Sequence, residues 1–297
     1  VELPVGSSAA RFVLPALAPG HAHEELFVVS TARRGVIQIG PATTVQGDPL
    51  GLMRRTLTWT ERTELFVHPR TVALEPLGAG LLRDLEGSTT EDISMSDLAF
   101  HALREYQPGD DRRYIHWRSS AKAGKLLVRQ FLDTRRSHVT VLIDTDPEQY
   151  RSGAVDAGEA DVETAISAGS SIMVRAALDE QDWTVVCADR RVAKVGPQFG
   201  LDAMARIVPG PVDLLSLALE AVDAAPDTST AFVITGPHRP FIDLQRAAGQ
   251  FPPEVSKVLV VVDPLAEHGV RRGAGLVILT LSRLEDLRTL MLSGVAR

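Results

Sequence analysis

Two stretches of the chain concentrate side chains with chemical capacity. Residues 104–131, REYQPGDDRRYIHWRSSAKAGKLLVRQF, gather Arg, Lys, His, Asp, Tyr and Trp. Residues 144–148, DTDPE, place Asp144, Asp146 and Glu148 at alternate positions directly after the apolar run VTVLI. Three carboxylates at a strand end can hold a hard cation such as Mg²⁺. Alternatively they end the strand as polar residues whose oxygens take loop amides. The first stretch shows no legible trio of nucleophile, base and orienting group, so three roles compete for it. In one, Arg104, Asp110, Asp111, Arg113 and Trp117 lock two domains together through arginine–carboxylate forks. In another, Arg112, Arg118, Lys122, Lys125 and Arg129 form a basic face for an acidic partner. In the third, His116 and the arginines form an anion-binding or catalytic site. His116, between Ile115 and Trp117, reads as a helix-surface histidine.

The elements that must position these residues follow from local patterning. A strand over residues 99–106 puts Phe100, Arg104 and Tyr106 on one face and Leu103 on the other. Gln107-Pro108-Gly109 turns the chain. Asp110 then N-caps a helix starting at Asp111, with Tyr114, Trp117 and Ala121 on one face and Trp117 packing the helix onto the rest of the protein. Gly124 ends that helix as a C′ glycine, and a strand follows over 126–132.

Before this junction, short apolar runs at 10–17, 25–30, 36–40, 56–60 and 64–67 are broken by Gly and Pro turns. They predict an N-terminal antiparallel β-sandwich over 1–75. A glycine-rich linker over 76–98 and the junction over 99–136 come next. Over 137–297, apolar strands at 139–143, 183–188, 231–235, 258–262 and 276–281 alternate with helical patterns. That alternation predicts a doubly wound, mostly parallel sheet flanked by helices. A hairpin strand is expected at 192–195, and Ser282 as the cap of the last helix.

Composition narrows the function. The 297 residues carry a net charge of −7, which argues against general nucleic-acid binding. The single cysteine, Cys187, excludes an internal disulfide and reads as a buried, inert thiol. His21 and His23 have no further ligand nearby to make a metal site. No apolar run approaches the ~20 residues that span a bilayer. The chain begins at Val1 without an initiator methionine, so residue 1 need not be the natural N-terminus.

The string R-E-Y-x-P-G-D-D-x-R-x-I-x-W over 104–117, followed by S-A-K-x-G-K-L-x-V-R-Q-F over 120–131, closely resembles the signature of the bacterial "domain of unknown function 58" family. Upstream, Arg34-Gly35 with Ile39-Gly40, GDPLGL at 47–52 and TELFVHPR at 63–70 resemble that family too. The resemblance implies a β-sandwich, the signature, and a von Willebrand factor A-like domain. It also implies two N-terminal membrane helices absent from this chain, which would then be the soluble part or a shorter member. The implied partner is a MoxR-type AAA+ ATPase, and the implied address is the cytoplasmic face of the bacterial inner membrane.

A-type domains bind Mg²⁺ through D-x-S-x-S, a loop Thr and a later Asp. Here Asp146 and Glu148 replace both serines, and Val233-Ile234-Thr235-Gly236 lacks the aspartate. A metal-dependent, ligand-binding A-domain is therefore one alternative. A strand followed by Asp-x-Asp also resembles the opening of the haloacid dehalogenase-type phosphatases. That reading makes Asp144 the nucleophile and Asp146 the acid/base, with Thr235 and Lys257 on phosphate and Asp263 with Glu267 on Mg²⁺. Glu148 stands where that pattern expects Thr or Val. The reading adopted is a non-enzymatic adaptor or assembly module without a required cofactor.

Overall fold

The computed structural model describes all residues except 49–51, 78–97, 108–111, 134–136, 152–156, 189, 194, 274 and 294–297. The N-terminal part is one antiparallel sheet. Its strands are β1 (Glu2–Val5), β2 (Ser8–Arg11), β3 (Gly35–Ile39), β4 (Thr43–Gly47), β5 (Arg54–Thr58) and β6 (Thr63–Val67). The order is β5-β4-β1-β3-β6, with β2 paired to β1. Val5 pairs with Ile39 and Glu2 with Thr43, so β3 and β4 lie end to end along one edge of β1. The kink between them falls at Gly40, with φ of +90°, where a Cβ would sit 3.0 Å from the Glu61 carbonyl oxygen. Only glycine accepts both that dihedral and that approach.

Two sequence expectations fail here. The β residues form a single sheet among the described residues, where two packed sheets were expected. Residues 12–34 contain no strand, so the runs at 10–17 and 25–30 contribute only β2. Leu26 and Val28 are almost wholly exposed: their apolar run finds no neighbouring edge to pair with, and composition alone does not make a strand.

The second part holds a seven-stranded mixed sheet in the order β11-β10-β9-β12-β13-β15-β14. Five central strands are parallel: β9 (His138–Ile143), β10 (Asp182–Cys187), β12 (Thr228–Thr235), β13 (Ser256–Val262) and β15 (Leu276–Leu281). The edges β11 (Arg190–Ala193) and β14 (Gly269–Gly273) run antiparallel. Side chains alternate along each strand. Val139, Val141 and Ile143 of β9 join one core cluster with Phe232 and Ile234 of β12, while Leu142 and Val233 join a second. The first cluster is covered by α2 (Ala157–Leu178), α3 (Pro197–Ala205) and α6 (Asp286–Ser293), the second by α4 (Leu214–Ala224) and α5 (Phe241–Ala248). Burial on both faces is why the strands read as unbroken apolar runs. Cys187 is fully buried in the first cluster. No helix among the described residues is long and apolar enough to cross a membrane.

Residues 68–77 bind the two parts. His68 Nε2 meets Asp202 Oδ1 at 2.7 Å, the Val72 N–H donates to Ser171 Oγ, and the Leu77 N–H donates to Asp179 Oδ2. Leu74 and Leu77 bury in the first cluster. From the N-terminal sheet side, Arg34 is only 5% exposed in its side chain and forks onto Glu163 of α2 at 2.7 and 2.9 Å. Its Nη1 also donates to the carbonyls of Met204, Ala205 and Ile207, where α3 ends. A guanidinium satisfying open carbonyls at a helix C-terminus also meets the negative end of the helix dipole.

Candidate functional site at the sheet switch point

The chain leaves β9 through α2 to β10 on one side, and later returns to place β12 on the other side of β9. The strand order therefore reverses between β9 and β12, and in open α/β sheets the crevice beyond the carboxyl ends at such a point is where ligands bind. Asp144 follows β9 and Thr235 closes β12, so this crevice is built by the predicted Asp-x-Asp stretch.

Its interior is occupied by an arginine of the chain itself. Asp144 is fully buried. Its Oδ2 accepts from Thr235 Oγ1 at 2.8 Å and Arg239 Nε at 2.9 Å, and its Oδ1 from Arg239 Nη2 at 3.0 Å and the Asp146 N–H at 3.2 Å. Arg239 Nη2 also reaches Asp146 Oδ2 at 3.8 Å. Tyr150, fully buried, donates its hydroxyl to the Asp144 carbonyl. Burial works against the Arg239 charge, but hydrogen bonding to Asp144 and the fields of Asp144 and Asp146 outweigh it and hold the guanidinium pKa above its usual value. Burial first, and Asp144 second, push the Tyr150 hydroxyl well above the ordinary tyrosine range. Both therefore keep their donating protonation states at neutral pH.

Asp146 serves the backbone: Oδ1 accepts from the Glu148 N–H and Oδ2 from Gln149 Nε2. It thereby N-caps the short 3₁₀ turn Pro147–Gln149. That turn lies against Gly236, where a Cβ would meet the Gln149 carbonyl oxygen at 2.0 Å. Gly236→Ala must push the turn off β12 and is expected to cost about 2 kcal/mol, read as a lowered midpoint in urea denaturation with an unchanged slope.

The predicted cation ligands separate in the structure. Asp144 and Asp146 come together around Arg239, while Glu148 pairs outward with Arg151 at 2.7 Å. Among the described residues these three do not bring ligand oxygens within 4.8 Å of one another. With Asp144 committed to a guanidinium fork, the set does not fit Mg²⁺. The phosphatase arrangement is not assembled either. Thr235 pairs with Val261 and Ala231 with Lys257, which sets Lys257 four residues, about 13 Å, back along the sheet from the carboxyl edge. The sequence reading missed Arg239 and Tyr150. The one local signal was the polar turn His238-Arg239-Pro240 after an apolar strand.

The signature folds as a two-stranded antiparallel ribbon, β7 (Leu98–Glu105) and β8 (Leu127–Asp133), carrying α1 (Trp117–Ala123) between the strands. The expected helix start is displaced. Arg112–Tyr114 form a 3₁₀ turn, buried Ile115 bridges to Val128, and the His116 N–H donates to the Leu127 carbonyl. This bridging holds the chain extended until His116, whose Nδ1 accepts from the Ser119 N–H as the actual N-cap. His116 thus has a capping role rather than that of a free helix-surface residue. Gly124 ends α1 in the left-handed conformation, as expected. The face turned inward is marked by Ser120, whose Oγ accepts from the Leu127 N–H. Trp117 does not pack: it is 65% exposed. Arg112, Arg118 and Lys122 are exposed, and Tyr106 is half-buried. Gly109, Asp110 and Asp111, with the side chains of Arg104 and Arg113, lie outside the described residues.

No curated protein and no solved structure matches the chain. Residues 102–230, from β7 across the junction and into β12, match the model of the family described as "Protein of unknown function DUF58".

Proposed function

We propose that the chain is a non-enzymatic adaptor or assembly module that docks an acidic protein partner through the exposed side of α1. The observation that carries this reading is Trp117, 65% exposed at the start of a helix whose other outward residues include Arg118 and Lys122. A large aromatic ring among cations is the composition of a binding hot spot with electrostatic steering around it. The Asp144–Arg239 fork supports the non-enzymatic part, because Asp144 is fully buried and both its oxygens are engaged by the guanidinium. By the resemblance of the signature, the partner is a MoxR-type AAA+ ATPase and the setting is the cytoplasmic face of a bacterial inner membrane. By the same resemblance, the second domain is a von Willebrand factor A-like fold, one in which an arginine holds the charge that a metal holds elsewhere.

The test is binding of the purified ATPase measured by biolayer interferometry. Trp117→Ala is expected to weaken it about 30-fold, the equivalent of about 2 kcal/mol. The pair Arg118→Glu with Lys122→Glu is expected to slow association and flatten its salt dependence. Melting should stay within about 1 °C in both, since exposed substitutions rarely exceed 0.5 kcal/mol. Unchanged affinity in both variants would sink the docking reading.

A further inference from the structure

The amino-terminal edge of the seven-stranded sheet, opposite Asp144, carries a second concentration of chemistry. His138 opens β9, Asp182 opens β10 and pairs with it in register, and Asp227 directly precedes β12, whose Thr228 pairs with His138 on the other side. One potential ligand atom from each of His138, Asp182 and Asp227 lies within 4.8 Å of the others.

His138 is fully buried. Its Nε2 stands 2.9 Å from Thr184 Oγ1, which fixes the ring and leaves Nδ1 towards the carboxylates. Nδ1 lies 3.0 Å from Asp227 Oδ1 as an ion-pair contact, yet among the described residues this buried nitrogen has no hydrogen-bond partner. An unmatched buried polar atom is costly. With the ring proton on Nε2, the arrangement is worse still, because the Nδ1 lone pair then faces negative oxygens. A cation bound by all three side chains removes both costs.

We propose that His138, Asp182 and Asp227 bind a first-row divalent cation of the Zn²⁺ class. One imidazole with two carboxylates suits such an ion, whereas Mg²⁺ and Ca²⁺ prefer all-oxygen sets. Thr184 acts as the outer partner that orients a ligating histidine through its other nitrogen. Tetrahedral ligands at ~2.0–2.2 Å from zinc stand roughly 3.4 Å apart. Asp227, 55% exposed in its side chain, can close the remaining gap by changing rotamer, and solvent completes the fourth position. The ion staples the starts of three adjacent strands. One of them is β9, which begins five residues after the signature ribbon ends at Asp133.

The experiment uses the full chain, stripped with a chelator and titrated with ZnCl₂ by calorimetry and thermal denaturation. One Zn²⁺ per chain and a saturable rise in Tm are expected, with no rise from MgCl₂. Asp182→Asn and Asp227→Asn are each expected to weaken Zn²⁺ at least tenfold and to abolish the rise. Asp227, being exposed, can be changed without threatening the fold, and circular dichroism of the metal-free variant checks that. The proposal is overturned if no stoichiometric Zn²⁺ binds. It is equally overturned if binding survives both asparagine variants but is lost in His23→Ala, which would move the ion to the surface pair of His23 and Glu25, 2.8 Å apart.

Discussion

Replacing Arg239 by methionine is expected to lower the stability of the chain by about 3–5 kcal/mol, the usual cost of stranding one member of a buried ion pair. At roughly 2–4 °C per kcal/mol for domains of 150–250 residues, that corresponds to a fall in Tm of about 10 °C. The cost arises because, among the described residues, Asp144 has no other counter-charge in hydrogen-bond contact: its remaining donors are the Thr235 hydroxyl and the Asp146 N–H. Arg239→Lys is expected to fall between, since an ammonium keeps the charge but cannot make the two-pronged contact. The double variant Asp144→Leu with Arg239→Met should recover most of the loss, because an apolar pair of similar volume carries no desolvation penalty. Addition of MgCl₂ should leave the melting of the unaltered chain unchanged. It should raise that of Arg239→Met, in which Asp144 and Asp146 regain the need for a cation. A methionine variant that melts within 2 °C of the unaltered chain would show that the guanidinium does not neutralise this crevice.

The contrast between Asp144 and Arg239 also shows how much of the site can be read from sequence. Asp144 was legible because an apolar β9 ends at it, and a strand buried on both faces leaves a periodic signature with an abrupt polar stop. Arg239 was not, because it lies 95 residues away and only the strand order brings the two together. The carboxylates announced a need for positive charge; one alternative in the sequence met it with Mg²⁺, where the fold supplies a guanidinium. The same division holds elsewhere. The parallel strands and Gly124 follow from local residues. β14, reading GVRRG, was missed because its arginines face solvent on an edge strand, where charge guards against further pairing. The start of α1 was misplaced because Ile115 prefers burial against Val128 to continuing a helix, and that contact is invisible to helical periodicity.

Arg34→Ala is expected to produce the second large effect, a loss of about 3–4 kcal/mol confined to the joint between the N-terminal sheet and the α/β part. The signature drew the role of interdomain lock in the sequence reading because it is rich in arginine and aspartate. Arg34 fits the requirement better: one buried guanidinium engages Glu163 in a fork and three consecutive-turn carbonyls at the end of α3. Around it, Arg206 stacks 4.8 Å from the Phe66 ring centre and pairs with Glu64, while His68 meets Asp202. These outer contacts are partly exposed and so individually weak; they position the joint that Arg34 closes. Lysine at position 34 should not restore the joint, because it cannot serve a carboxylate fork and helix carbonyls at once. Glu163→Gln, whose side chain is 41% exposed, should cost less than Arg34→Ala, since the three carbonyl contacts remain. The measurement is hydrogen exchange of residues 68–77 with global melting in parallel. Faster exchange in that strap, with the amides of β9 and β12 still protected, is the expected result. Uniform loss of protection across the chain would instead make Arg34 part of a single cooperative core, and the two parts would then have no separable joint.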